Sequence, residues 1–369
     1  MQKSIDFLLE HAGPVIQYRL CRDILHSLSP ADEGILLKQI EQLPLVELLK
    51  TYVQPNGYIG RGMHSWDNWR GDVLHQTPLQ DGEAAARLLS YYGFSKNHPL
   101  VACYAAALNN EATLRDVFSY IPPETARFEN RLNGLNNGNC LMTFVYTMLA
   151  MLGYGDDKPE ICAFQQIALK GFQRLLQASS LEEITHFDPA SKRRYNYPFI
   201  EADDLFPNAY TLALLAYTKN WRTEENILMM ADALNHICKI MKPENNLHVR
   251  LNGKYVVPYA ALVRPLRAFH PDLIDSILYR RTLTEIAMLS VGKRVDILRQ
   301  SAEYILSSMD DAGVVHMNFE ATHNKRYSPK KIVYPTPYND VKLEADYRVP
   351  HAWSCDLTFW AIELLHLIN

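Results

Sequence analysis

The sequence predicts an all-α fold, an (α/α)6 toroid in which six inner helices face a common axis and outer helices wrap them. Three observations carry this. Apolar helices rich in small residues recur every several dozen positions, amphipathic helices with one charged face alternate with them, and the joins within a hairpin are short while those leading into the apolar set are long. An open α-solenoid shares the local pattern but has no need of long polar loops on one side only. The reading takes residues 1–369 as one toroid domain, a length that closed repeat architectures reach.

The first short helix, Gln2 to Glu10, is expected to serve as outer partner of the last. PVIQYRLCRDILHSL from Pro14 is the first inner helix, with Arg19 and Asp23 spaced for an i, i+4 ion pair. DEGILLKQIEQLPLVELLK from Asp32 is amphipathic and outer. QDGEAAARLLSYYGF from Gln80 and NGNCLMTFVYTMLAML from Asn137 are inner, and PEICAFQQIALKGFQRLLQ from Pro159 is outer, reached through the short turn GYGDDKP. NAYTLALLAY from Asn208 is inner, joined by TKNWRT to the outer TEENILMMADALNHICKIM from Thr223. VPYAALVRPLRAF from Val257, the outer VDILRQSAEYILSSM from Val295 and the inner SCDLTFWAIELLHLIN from Ser354 complete the set. GKYVVPY and KKIVYP are weak strand signals that suit small hairpins in the loops.

Composition bounds the function. The chain is 48% hydrophobic and 21% charged, as a globular protein with a large core should be. A formal net charge of -4 offers no broad basic face, so no nucleic-acid partner is expected. The six cysteines lie far apart and mostly inside apolar stretches, which predicts buried free thiols in a reducing cytoplasm. The N-terminal apolar run is too short for a signal peptide, and no apolar stretch approaches the roughly 20 residues of a membrane span.

If the ring closes, the long loops share one mouth with the N-terminal ends of the inner helices. The loops begin at His64, Phe128, Arg193, Val249 and His316, and mix aromatic residues, Asn, Arg and carboxylates in a composition suited to recognition. The third contains EADD, with Glu201, Asp203 and Asp204 on the approach to an inner helix. One carboxylate would suffice for capping. Three within four positions repel one another, which raises at least one pKa and keeps a proton available for general acid chemistry.

At EADD the chain resembles the squalene-hopene and class II terpene cyclase superfamily, whose toroids carry a D-x-D-D motif leading into an inner helix; Glu201 stands where that motif has Asp. The resemblance implies protonation-initiated cyclisation of an isoprenoid, with Asp203 as the acid and Glu201 and Asp204 tuning it. It also implies that inner-helix aromatics, Phe144, Tyr146, Tyr210, Phe359 and Trp360, stabilise carbocations through their π faces. No cofactor is expected, although a diphosphate substrate would call for Mg²⁺, with Arg70, Arg131, Arg193, Arg194, Arg250 and Lys254 as anchors. DDKPE from Asp156 has the spelling of the aspartate-rich motif of metal-dependent terpene synthases, but after GYG and with Pro159 inside it reads as a turn. HAWSCD offers His351, Cys355 and Asp356 in the manner of the zinc site of protein prenyltransferases. The family's D-x-C order is absent, and capping by Asp356 with packing of Cys355 is the plainer account.

The same toroid also serves glycoside hydrolases and polysaccharide lyases, and this is the alternative reading. Sugars stack on aromatic faces, for which Trp66, Trp69, Tyr197, Tyr338 and Trp353 are available, while Arg and Asn hold hydroxyls or uronates. Hydrolysis needs two separated carboxylates, so Asp67, Asp72 or Asp81 would face Asp203; a lyase would use a Tyr or a His such as His64, His75, His316 or His351. A non-catalytic toroid that binds a peptide or protein is the third reading. An aliphatic and aromatic cavity wall favours the cyclase, opposed carboxylates with exposed tryptophans favour the glycan enzyme, and acids all paired to arginines favour the binding module.

Overall fold

Proline punctuates the chain: Pro14, Pro30, Pro44, Pro99 and Pro159 each occupy the first turn of a helix, where a missing N–H costs nothing. A computed structural model describes residues 1–62, 81–117, 141–189, 198–201, 204–241, 248–251, 254–256, 266–274, 276, 278–317 and 341–369. Among them the chain is mostly helical. The helices are α1 Gln2–His11, α2 Pro14–Arg19, α3 Pro30–Glu41, α4 Pro44–Thr51, α5 Gly82–Tyr91, α6 Pro99–Leu108 and α7 Glu111–Val117. After these come α8 Leu141–Met151, α9 Pro159–Gln177, α10 Ala209–Ala216, α11 Glu224–Ile240, α12 Tyr279–Met288, α13 Asp296–Ser308 and α14 Ala352–Ile368.

The buried apolar side chains form one continuous cluster reaching from Ile5 to Ile368. Within it α5 packs on α8, α8 on α10, α10 on α12, α12 on α14, and α14 on α2. The turn after α2 then reaches the end of α5, where Arg22 donates to the carbonyl of Gly93. Gly93 has φ +80, and a Cβ there would lie 2.9 Å from both Arg22 and Tyr18, so this close approach requires glycine. A second layer covers the first: α3 lies on α2, α9 on α10 and α11, and α13 on α14. In keeping with its length and position, α1 packs on α14.

The amphipathic segments fold largely where periodicity places them, with Thr223 capping α11 and Val295 preceding α13. The first apolar helix is shorter than expected, because a π turn over Leu20–Ile24 ends it. Periodicity does not anticipate α6 and α7. The fifth apolar helix lies mostly outside the described residues. Of the segment from Val257, residues 257–265 lie outside the described set, and the adjoining stretch, Leu266 to Phe269, is not helical. Packed against both α10 and α14 is a helix that periodicity does not anticipate, α12, YRRTLTEIAM, whose Arg280, Arg281, Thr282, Thr284 and Glu285 are all buried. A search for apolar periodicity passes over a helix whose interior face is charged.

Strands are few. β1 Phe199–Glu201 runs parallel to β2 His248–Leu251, which is antiparallel to β3 Lys254–Val256; the last pair is the hairpin that GKYVVPY suggested. No helix among the described residues is long and apolar enough to cross a membrane. The five cysteines among them are free thiols, Cys355 buried and Cys103 exposed.

Candidate functional site

The N-terminal ends of the interior helices are polar, and their caps are built from side chains. Asp81 precedes α5 and accepts the backbone N–H of Glu83 at 2.9 Å. Asn208 precedes α10 in a capping box, accepting from Tyr210 and Thr211 while the Thr211 hydroxyl accepts the Asn208 N–H. Asn208→Ala is expected to lower unfolding stability by about 1 kcal/mol, measured by urea titration. By contrast α12 and α14 begin with Leu278 and His351 at φ +61 and +68, left-handed conformations that are strained for side chains of this size.

One turn inside these ends four charges meet. Glu83 accepts from Arg87 Nε at 3.0 Å and from Arg281 Nη1 at 3.4 Å, while Glu285 accepts from Arg281 Nε at 3.2 Å and from Arg87 Nη1 at 3.3 Å. The Tyr210 hydroxyl donates to the other Glu83 oxygen at 2.9 Å. All four charged side chains are at most 3% exposed. Burial alone would drive the Arg87 guanidinium toward neutrality, but Glu83 and Glu285 more than reverse this and hold it above its ordinary value. The spacing is complementary: Glu83 and Arg87 on α5 oppose Arg281 and Glu285 on α12, i to i+4 on each helix, with the signs exchanged.

A second cluster joins α12 to α14. Arg280 Nη1 bonds both oxygens of Asp356 at 3.0 and 2.9 Å, and the Tyr347 hydroxyl donates to Asp356 at 2.9 Å. Burial, followed by the Asp356 charge, raises the Tyr347 hydroxyl well above its usual range. Beside them Glu344 accepts the backbone N–H of Gly13, the N-cap of α2, at 2.9 Å. A carboxylate at a helix N-terminus ordinarily has a lowered pKa. Here burial outweighs the Gly13 bond, the Asp356 charge adds to it, and Glu344 is pushed up to about 7. No Arg or Lys pairs with it among the described residues. Half-buried Trp353 packs on Tyr347 with ring centroids 4.1 Å apart, and Lys342 lies 5.3 Å from the Trp353 ring.

Of the residues the sequence nominated, Asp203, Trp66, Trp69, Arg70, Arg131, Arg194, Tyr197 and Tyr338 lie outside the described residues. Glu201 ends β1 opposite Arg250 of β2 and accepts its Nε at 2.7 Å; that guanidinium also lies 4.0 Å from the Phe199 ring centroid. Asp204 accepts from the Glu201 N–H at 3.1 Å and pairs with His186 at 2.9 Å. These carboxylates close a strand; Asn208, not an acid, caps the next helix. Trp353 joins the Glu344 cluster. In the zinc-like triplet, the His351 ring stands 4.7 Å from that of His11, and burial, with help from Glu344 and Asp356, pushes the Cys355 thiol up to about 12. Asp356 does not cap α14, since it is committed to Arg280. Arg19 makes the expected pair with Asp23 at 3.3 Å and bonds Glu363 as well.

Sequence reasoning overlooks Glu83, Arg87, Arg280, Arg281, Glu285 and Glu344. A signal exists for four of them, since Glu-x-x-x-Arg inside an Ala- and Leu-rich helix and Arg-x-x-x-Glu in a second helix are matched halves of one network.

The opposite ends of these helices meet at the short turns, where Asp156 of GYGDDKP accepts the backbone N–H groups of Lys219 at 2.8 Å and Asn220 at 3.0 Å. That fixes DDKPE as a turn, as expected. Near this end lies a cavity of about 210 Å³ bordered by α2, α5, α12 and α14. No protein-family model, curated protein or solved structure matches the chain.

Proposed function

We propose that the chain closes as an (α/α)6 toroid and works as a carbohydrate-active enzyme at the mouth formed by the N-terminal ends of α2, α5, α8, α10, α12 and α14. The packing order of these helices, with α14 returning to α2 and Arg22 reaching Gly93, supports the ring. The observation that carries the chemistry is Glu344: a carboxyl with no basic partner among the described residues, raised to about 7 beside an Asp356 already bonded to Arg280 and Tyr347. A carboxyl whose surroundings raise it this far is a usual mark of proton-transfer chemistry. In the reaction proposed, Glu344 gives its proton to the glycosidic oxygen as the bond to the anomeric carbon breaks. Water adds to that carbon and passes its proton to a second carboxylate, for which Asp203 is the sequence candidate.

The polarity of the axis weighs on the choice of substrate. Isoprenoid cyclisation by Asp203 asks for an aliphatic and aromatic wall, whereas the described axis carries Glu83, Arg87, Arg281, Glu285 and the Tyr210 hydroxyl. Glu83, Glu285, Asp356 and Glu201 are arginine-paired, which is the pattern of a binding toroid; Glu344 is what separates the two. Wild type, Glu344→Gln and Asp203→Asn are assayed against neutral and uronate oligosaccharides and against prenyl diphosphates. Oligosaccharide turnover that falls as pH rises through 7, and drops about 10²- to 10⁴-fold in Glu344→Gln, is expected. Full activity in Glu344→Gln, or turnover of prenyl diphosphates alone, would overturn the reading.

A further inference from the structure

We infer that the cavity near the short turns is a second ligand site, separate from the mouth, for a small uncharged molecule carrying several hydroxyl groups. The cavity is about 210 Å³, room for about seven waters at their liquid volume and so for a molecule of monosaccharide size. The four charges of α5 and α12 stand between it and the mouth, at most 3% exposed. Displacing buried, paired ions costs several kcal/mol for each, so a ligand at one end does not pass to the other.

The lining selects the ligand. Its arginine and carboxylates are already spent on one another, with His366 the remaining basic group of the lining: Arg19 bonds both Asp23 and Glu363, and Asp23 is bonded again by Arg22. An ionic ligand would have to break these pairs. What the walls offer is hydroxyl chemistry from Ser90, Tyr217 and Thr284, the last already accepting from Trp360 Nε1 at 2.9 Å and left with its proton to donate, and apolar contact from Met288 and Phe359. Tyr217 lines the cavity, and burial first, with the charges of Glu285, Arg87, Arg19 and Glu363 acting on it as well, pushes its hydroxyl up to about 12. A molecule whose groups both donate and accept satisfies such a lining; an ammonium or a carboxylate does half of it.

The test is calorimetric titration of the full chain with myo-inositol and glucose, and with glucosamine and glucuronate as charged controls, repeated on Tyr217→Phe, Met288→Trp and Glu344→Gln. The uncharged probes should bind in preference to the charged ones. Tyr217→Phe, which keeps the ring and removes one hydroxyl, should weaken them about fivefold to tenfold, and Met288→Trp should fill the space and abolish binding. Glu344→Gln should leave binding intact, so the result stands or falls apart from catalysis at the mouth. Preference for a charged probe, absence of binding by either uncharged probe, or loss in Glu344→Gln with retention in Tyr217→Phe each overturns the assignment. Unchanged melting of Tyr217→Phe certifies that its loss of affinity is local.

Discussion

Arg281→Met should lower the free energy of unfolding by about 3–5 kcal/mol, the largest loss expected of any single substitution in the buried ion network. Methionine fills most of the space, so the effect isolates charge. Glu83 keeps Arg87 and Tyr210, and Glu285 keeps Arg87 alone, but two carboxylates then share one guanidinium where no water reaches them. The companion experiment removes the whole set: Glu83→Leu, Arg87→Met, Arg281→Met, Glu285→Leu and Tyr210→Phe together. That variant should recover most of the loss, because a buried ionic network replaced entirely by apolar groups of similar volume is often neutral or better. Urea titration measures both. A single-variant loss below about 1 kcal/mol would mean that solvent reaches these charges.

Glu344→Gln should make the protein more stable at pH 8 and change it little at pH 4. The folded-state value of about 7 lies above the ordinary 4.5, so the native state holds this proton more tightly than the unfolded chain. Stability from such a group is fully present below the unfolded value and is lost as pH climbs through the folded one, by up to about 3 kcal/mol between pH 4.5 and 7. Glutamine still accepts the Gly13 N–H and carries no charge to bury, so it escapes the loss. The difference in Tm between variant and wild type, followed from pH 4 to pH 8 by calorimetry, should therefore widen as pH rises. A difference that stays flat would remove Glu344 from the set of raised carboxyls and with it the proposed acid. A variant that gains stability while losing turnover is the pattern of a residue kept for function.

The helical class, the alternation of apolar and amphipathic helices, and the first and last packing partners are legible because burial leaves a periodic trace. α9 begins at Pro159 and α11 at Glu224 just as their patterns and caps suggest. Legibility ends where an interior face is polar. α12 buries two arginines and a glutamate, which hydropathy scores as surface, and the apolar run at Val257 takes its place in any count of periodic segments. The acidic run at residues 201–204 draws attention because its charges adjoin in sequence. Yet the partners of Glu201 and Asp204 are Arg250 and His186, 49 and 18 positions away. Glu344 has no signature at all, since its altered acidity comes from burial, and the backbone it bonds, Gly13, is 331 positions distant.

The separation of the ion-network partners along the chain bears on how the chain reaches its native state. Glu83 and Arg87 leave the ribosome 198 residues ahead of Arg281 and Glu285. Until α12 emerges, an early-docked α5 would bury half of a network whose counter-charges do not yet exist, at a cost of several kcal/mol per ion. The first hairpins are therefore expected to stay hydrated and loosely packed during synthesis, with consolidation of this network late, as slow folding by distant contacts implies. The pairing that silences those charges in the finished molecule also times its assembly.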